Sequence, residues 1–365
     1  MSKKNGKIEL LRFIFCIIII LFHCSRLIAD KNLGGVGSFK RGYIGVEYFF
    51  ILSGFLMAKS IDKKNRQAVS GNNKYETAGP SFRLFMWGKI KRLLPYHILA
   101  FILLYFEDIF LHEYSILQLI KNTIDCIPSF LLIQKLGFQF RNLNSVEWYI
   151  SAMLISMAII FVISYIHFDY YSKCIAPVIS MVLIGWLIHD FGTVSGASQW
   201  DIFGYRCVWR AFAELNAGLF AYQTAEFMKR CEWKTGERCV LSLIELLSVA
   251  MVIIYGVYDL PGKYDVFAIM GVFLIVTIAF SDVTPGNNVL SNRITSYMGK
   301  LSLPMYLNQL FAIYIIRKLM NGYSYSAQFS SVLVLTFIVS VLTLLIGDLM
   351  MRAIDNSSID KKLSN

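Results

Sequence analysis

Ten stretches of about twenty mostly apolar residues recur along this chain, separated by short polar segments, and each is long enough to cross the hydrocarbon core of a bilayer as a helix. In that core every backbone N–H and C=O must be satisfied within the chain, so such stretches can only become helices packed together. The spans are expected near Ile8–Ile28, Tyr43–Ser60, Leu93–Leu111, Val146–Ile166 and Cys174–Phe191, then near Tyr205–Thr224, Val240–Tyr258, Tyr264–Ser281, Leu301–Lys318 and Ser331–Met351. The expected fold is an all-α polytopic membrane bundle of about ten transmembrane helices. The apolar piece Ile127–Leu136 is too short to cross and reads as interfacial or re-entrant.

Composition agrees: 56% of the 365 residues are hydrophobic, only 16% are charged, and the mean hydropathy is +0.56. The formal net charge of +11 could suggest nucleic acid, but Lys and Arg collect between the apolar runs. That is the positive-inside pattern, so no nucleic-acid partner is expected. The densest cluster, from Lys59 to Arg92, follows the second span, and Lys3, Lys4 and Lys7 precede the first. Alternation then places both termini in the cytoplasm, with the loop Lys229–Arg238 on the same side. The expected location is the cell (cytoplasmic) membrane.

Seven cysteines, odd in number and scattered, form no CxxC or Cys/His ligand spacing, so neither a disulfide framework nor a metal site is expected. The basic start before the first run reads as a retained span and not a signal peptide, since the run is long and no small-residue cleavage site follows. Residues 1–365 are read as a single membrane domain with no appended soluble domain.

The first helix carries the most informative pair. Arg12 and His23 are eleven residues apart, three turns plus about 20°, so they share one face at a separation of about 16 Å along the axis. Between them lies an apolar run with no use for two ionisable groups, which marks both as candidate site residues. Arg12 lies toward the cytoplasm and suits a phosphate; His23 lies toward the outside and suits a general base. The bland alternative pairs Arg12 with Glu9 and leaves His23 at the interface. Cys24 beside His23 points about 100° away and reads as a bystander.

Glu47 enters the membrane from outside at about the depth of His23, and a carboxylate there could orient the imidazole. It could also simply face water. Gly42, Gly45 and Gly54 would allow close helix approach. Lys89 and Arg92, at i, i+3, form an inner basic pair that could grip a phosphorylated ligand from the cytosol or merely anchor the span. Glu147 and Trp148 open the fourth span at the outer interface, where tryptophan is expected in any case. Arg210 and Glu214, at i, i+4, most simply pair with each other, and Asp348 with Arg352 repeats that spacing.

These stretches together resemble the acyltransferase-3 family of membrane acyltransferases. The resemblance rests on Arg12 and His23 at the family's spacing, GVEYFFILSGFLM at 45–57, KIKRLLP at 89–95, SVEWYIS at 145–151 and GKLSLPMYLNQ at 299–309, in the family's order and over nearly the whole chain. It implies transfer of an acyl group, usually acetyl, from cytoplasmic acyl-CoA to a hydroxyl, often of a sugar in a surface glycan. Carried over, His23 is the catalytic base, Glu47 matches the acidic position of the second-span motif, and Arg12, Lys89 and Arg92 belong to the acyl-CoA side. Glu147 and Trp148 fall on a family motif and are candidates for the substrate site. Two positions depart from the pattern: Lys89 stands where arginine is usual, and Gln309 where many members have histidine.

The expected partners are acyl-CoA as co-substrate, a carbohydrate acceptor and the lipid bilayer; direct transfer needs no bound cofactor. A separate extracytoplasmic transferase would be a further partner if the acyl group is relayed. A membrane transporter or lipid-linked glycan flippase is the alternative class, since intramembrane charges suit it equally. Matching halves with paired discontinuous helices would favour transport, and the sequence contains none.

Overall fold

The structure, a computed structural model, describes residues 5–28, 39–68, 74–137, 140–201 and 204–356. Eleven helices carry the architecture: α1 (Gly6–Leu27), α2 (Gly45–Ala68), α3 (Lys74–Leu111), α4 (Ile116–Asp125), α5 (Trp148–Ser164), α6 (Ala176–Phe191), α7 (Arg206–Arg230), α8 (Thr235–Val257), α9 (Asp265–Ser281), α10 (Arg293–Leu319) and α11 (Tyr325–Asp355). Among the described residues the strands are a two-residue antiparallel pair, Trp200–Asp201 with Gly204–Tyr205.

Eight segments are long and apolar enough to cross a membrane. They contain α1, α2, α3, α5, α6, α8, α9 and α11. The helices α7 and α10, at 25 and 27 residues, are also long enough to cross. They carry more polar residues because they lie inside the bundle, where Arg210, Glu214, Asn216, Asn308 and Gln309 are all buried. With these two, ten helices are long enough to cross, eight of them also apolar enough. The short stretch Ile127–Phe130 is a single helical turn followed by further turns, and it does not cross.

Burial separates centre from periphery. The apolar window of α2 is 72% buried, whereas that of α11 is 22% buried and presents Phe337, Leu345 and Leu349 outward. Apolar side chains gain nothing by leaving lipid for another helix, so close packing depends on small residues that let backbones meet. Gly54 of α2 and Gly218 of α7 do this: a Cβ on Gly54 would lie 2.1 Å from the Leu215 carbonyl oxygen, and one on Gly218 would lie 2.2 Å from that of Ile51. Gly42 and Gly45 seat α1 in the same way, against the carbonyl oxygens of Ile18 and Phe15 at 2.8 Å each. The helix α1 also runs beside α10, where the Cys16 thiol donates to the Ser302 carbonyl at 3.1 Å.

One boundary differs from the sequence reading. The basic stretch from Lys74 to Arg92 is not a loop but the first half of α3, which continues unbroken through Pro80 and Pro95 to Leu111. At 38 residues the helix is about 57 Å long, nearly twice a bilayer core, so its basic half projects beyond the apolar zone. Lys89 and Arg92 thereby gain a rigid support.

Candidate active site

Asn5 caps α1, its side chain accepting from the Ile8 backbone N–H, and fixes where the first turn begins. Arg12, two turns later, donates from Nη1 to Glu9 Oε1 at a long 3.4 Å, while its buried Nε has no partner among the described residues. The pairing with Glu9 is therefore present but leaves donor capacity unused. Lys89 of α3 lies within electrostatic reach of Arg92 and Arg12, and its ammonium lies 5.6 Å from the Phe85 ring. Helices α1 and α3 thus bring three cations to one end of the bundle, with Arg92 exposed. Cations gathered in this way can grip a phosphate.

His23 lies further along α1, partly exposed, with its ring edge-on to Phe22 at 5.0 Å between centroids. It makes no hydrogen bond among the described residues.

Glu47 does not meet His23. Gly45 turns its face to α1, and Glu47, two residues on, points about 200° away from it. The carboxylate is instead fully buried against α7: Arg210 Nε donates to Glu47 Oε2 at 2.9 Å, and Nη2 bonds Oε1 to complete a fork. The same Nε reaches Glu214 Oε1 at 3.3 Å, and Nη2 reaches the Tyr43 carbonyl at 3.4 Å. The Arg210–Glu214 pairing read from their spacing is present, but as the weaker contact of a triad. The guanidinium lies 5.5 Å from the Trp148 ring and 5.7 Å from the Tyr43 ring. Glu47, Arg210 and Glu214 therefore form one buried cluster, with the half-buried Trp148 against it.

Glu147, next to Trp148, belongs to a second cluster that the sequence reading missed. It is fully buried, and its Oε1 lies 2.8 Å from His97 Nδ1; His97 Nε2 lies 2.9 Å from the Phe130 carbonyl. A carbonyl can only accept, so Nε2 carries hydrogen, and the Nδ1–carboxyl contact shares one further proton. A histidine in the apolar half of α3 was a usable signal, since ionisable groups inside spans default to function. Nothing in the local sequence pointed to Glu147 as its partner.

Between them, two aromatic residues lie within electrostatic reach of both clusters and of the basic end. Tyr306 donates to the Val146 carbonyl and lies within electrostatic reach of Glu147, Tyr149, Cys16 and Arg210. The Tyr149 ring packs against it at 5.8 Å, and Tyr149 is in turn within reach of Arg12 and Glu214. A polar seam thus follows the bundle axis between the cations of α1 and α3 and the buried carboxylates.

At the end of the bundle that carries Tyr43, Asp265 was also missed. Fully buried, it accepts from Tyr255 at 2.5 Å, Thr193 Oγ1 at 2.6 Å, Tyr43 at 2.8 Å and the Val194 N–H at 2.9 Å. With four donors satisfied it reads as a lock on the connecting segments. Asp348 likewise takes a different partner from the one its spacing suggested: it accepts from Tyr96 at 2.7 Å. Among the described residues no three His, Cys, Asp or Glu side chains converge as a metal would require.

The family model of an acyltransferase domain, acyltransferase-3, matches residues 5–347, which includes every residue of these clusters. The chain belongs to the acyltransferase-3 family. It is a multi-pass membrane acyltransferase. No curated protein and no solved structure matches it.

Proposed function

We propose that this acyltransferase-3 protein moves an acyl group, acetyl in the first instance, from cytoplasmic acetyl-CoA to a hydroxyl of a sugar in a surface or secreted glycan. The observation that carries this reading is the placement on α1 of Arg12, joined by Lys89 and Arg92 at one end of the bundle, and of His23, without a hydrogen bond among the described residues, about 16 Å further along. CoA phosphates sit among the three cations, and the pantetheine arm runs along α1 with the thioester near His23. The imidazole takes the proton of the acceptor hydroxyl as its oxygen attacks the thioester carbonyl. Collapse of the tetrahedral intermediate breaks the C–S bond, and the CoA thiolate leaves and is protonated.

Glu47 contributes from the other side of the seam as a positioning residue, holding Arg210 beneath Trp148. The location that fits this donor is the cytoplasmic membrane, with the basic end inward. Deletion of the gene and complementation, followed by NMR of surface glycans, tests the reading. Loss of O-acetyl signals that return on complementation supports it; signals independent of the gene contradict it.

A further inference from the structure

The last turns of α3 and α10 and the segment at 141–143 enclose an open cavity of about 640 Å³ that the residues discussed so far do not line. Its size falls within the range of small-molecule sites, about 300–1,000 Å³. Its wall is unusually polar for a membrane helix bundle: Glu107, Asp108, Arg141, Tyr314, Arg317 and Lys318 all face it.

Two of these side chains are already committed to each other. Arg141 donates to Asp108 at 2.5 Å, and Tyr114 braces the same carboxylate at 3.2 Å. The others are not. Glu107 is only 5% exposed, yet its Oε1 is buried with no hydrogen-bond partner among the described residues. An unpaired carboxyl oxygen beside a cavity is costly unless something that enters the cavity donates to it. Tyr314 lies within electrostatic reach of both Glu107 and Arg317, and Arg317 is exposed with no ion-pair partner among the described residues. Basic residues in the final turn of a helix can merely offset its dipole. That explanation leaves the buried Glu107 oxygen unexplained.

We infer that this cavity holds the sugar that receives the acyl group, an inference that rests on the acyl-transfer reading above. A sugar ring offers hydroxyls that both donate and accept, and a flat C–H face. Glu107 Oε1 accepts from one hydroxyl, Arg317 donates to another, and the Tyr314 ring supplies the flat surface. Depth is compatible with transfer. The Cys16–Ser302 contact fixes the register of α1 against the parallel α10, so His23 is level with residue 309, and Tyr314 lies about 7.5 Å further toward the His23 end.

The test uses the full chain in nanodiscs of phosphatidylethanolamine and phosphatidylglycerol, with radiolabelled acetyl-CoA and polysaccharide from a strain lacking the gene. The expected result for Glu107→Gln and for Arg317→Ala is a KM for polysaccharide raised about tenfold each. The KM for acetyl-CoA and kcat stay near wild type, a split that a structural defect does not produce. Arg317, being exposed, keeps the test valid if Glu107→Gln fails to fold. Wild-type KM in both variants overturns the acceptor site while leaving acyl transfer intact. No transfer by the wild type from acetyl-CoA to polysaccharide overturns the acyl-transfer reading itself, and the site with it.

Discussion

Arg210 of α7 grips Glu47 of α2 through two guanidinium nitrogens, 163 residues apart in sequence, with the guanidinium 5.5 Å from the Trp148 ring. The pair exists because Gly54 and Gly218 bring the two helix backbones into contact. Removing one member of a buried ion pair strands the other, at a cost of about 3–5 kcal/mol. Arg210→Met strands both Glu47 and Glu214, so a lower unfolding temperature in detergent is expected. Glu47→Gln, which keeps an acceptor for Arg210 Nε, is expected to lose less. A wild-type melting profile for Arg210→Met would refute the structural weight given to the triad.

The long-range partners explain what was legible in the sequence and what was not. Spans, the shared face of Arg12 and His23, and the close-packing glycines follow from period and residue size, which act locally. Glu47 was aimed at His23 because consecutive spans form a hairpin. Gly45 faces α1, however, and that turns Glu47 to α7. His97 and Glu147, fifty residues apart, and Asp265 with its three hydroxyl donors depend on which helices become neighbours, and no periodicity carries that information. The helical start at Lys74 was hidden for another reason: a basic, polar segment shows no hydropathy signal whether it is helix or loop.

The basic end makes a kinetic prediction. Lys89→Ala and Arg92→Ala each remove one charge-assisted contact to phosphate, so the KM for acetyl-CoA should rise about tenfold in each. Lys89→Arg, which restores a bidentate fork, should lower it below wild type. The effects should shrink in high salt for the exposed Arg92 more than for Lys89. Unchanged acetyl-CoA kinetics in both alanine variants would place the donor elsewhere.

Lys135, outside the spans, predicts a pH dependence of stability. It is 7% exposed, its ammonium lies 4.4 Å from the Tyr205 ring, and burial holds its pKa below the usual lysine value. Below that lowered pKa the lysine is charged in both states and the folded protein bears the full cost. As pH rises from the lowered value toward about 10.4, the unfolded chain binds the extra proton and stability recovers. Lys135→Met should therefore melt higher than wild type at neutral pH, with the gap closing as pH approaches that value. A gap that stays constant with pH would show that the Lys135 charge is not its source.

Acyl transfer through the first helix is tested most directly in cells lacking the gene and complemented with wild type, His23→Ala or Arg12→Ala. The membrane level of each protein is checked, and the O-acetyl content of the surface glycan is read by NMR. The expected result is full acetylation with wild type and loss of at least 90% of the signal in each variant, about a tenfold or larger loss of general-base catalysis or of donor binding. Acetylation at the wild-type level in both variants, at equal protein, would contradict a transfer that runs along α1 from Arg12 to His23.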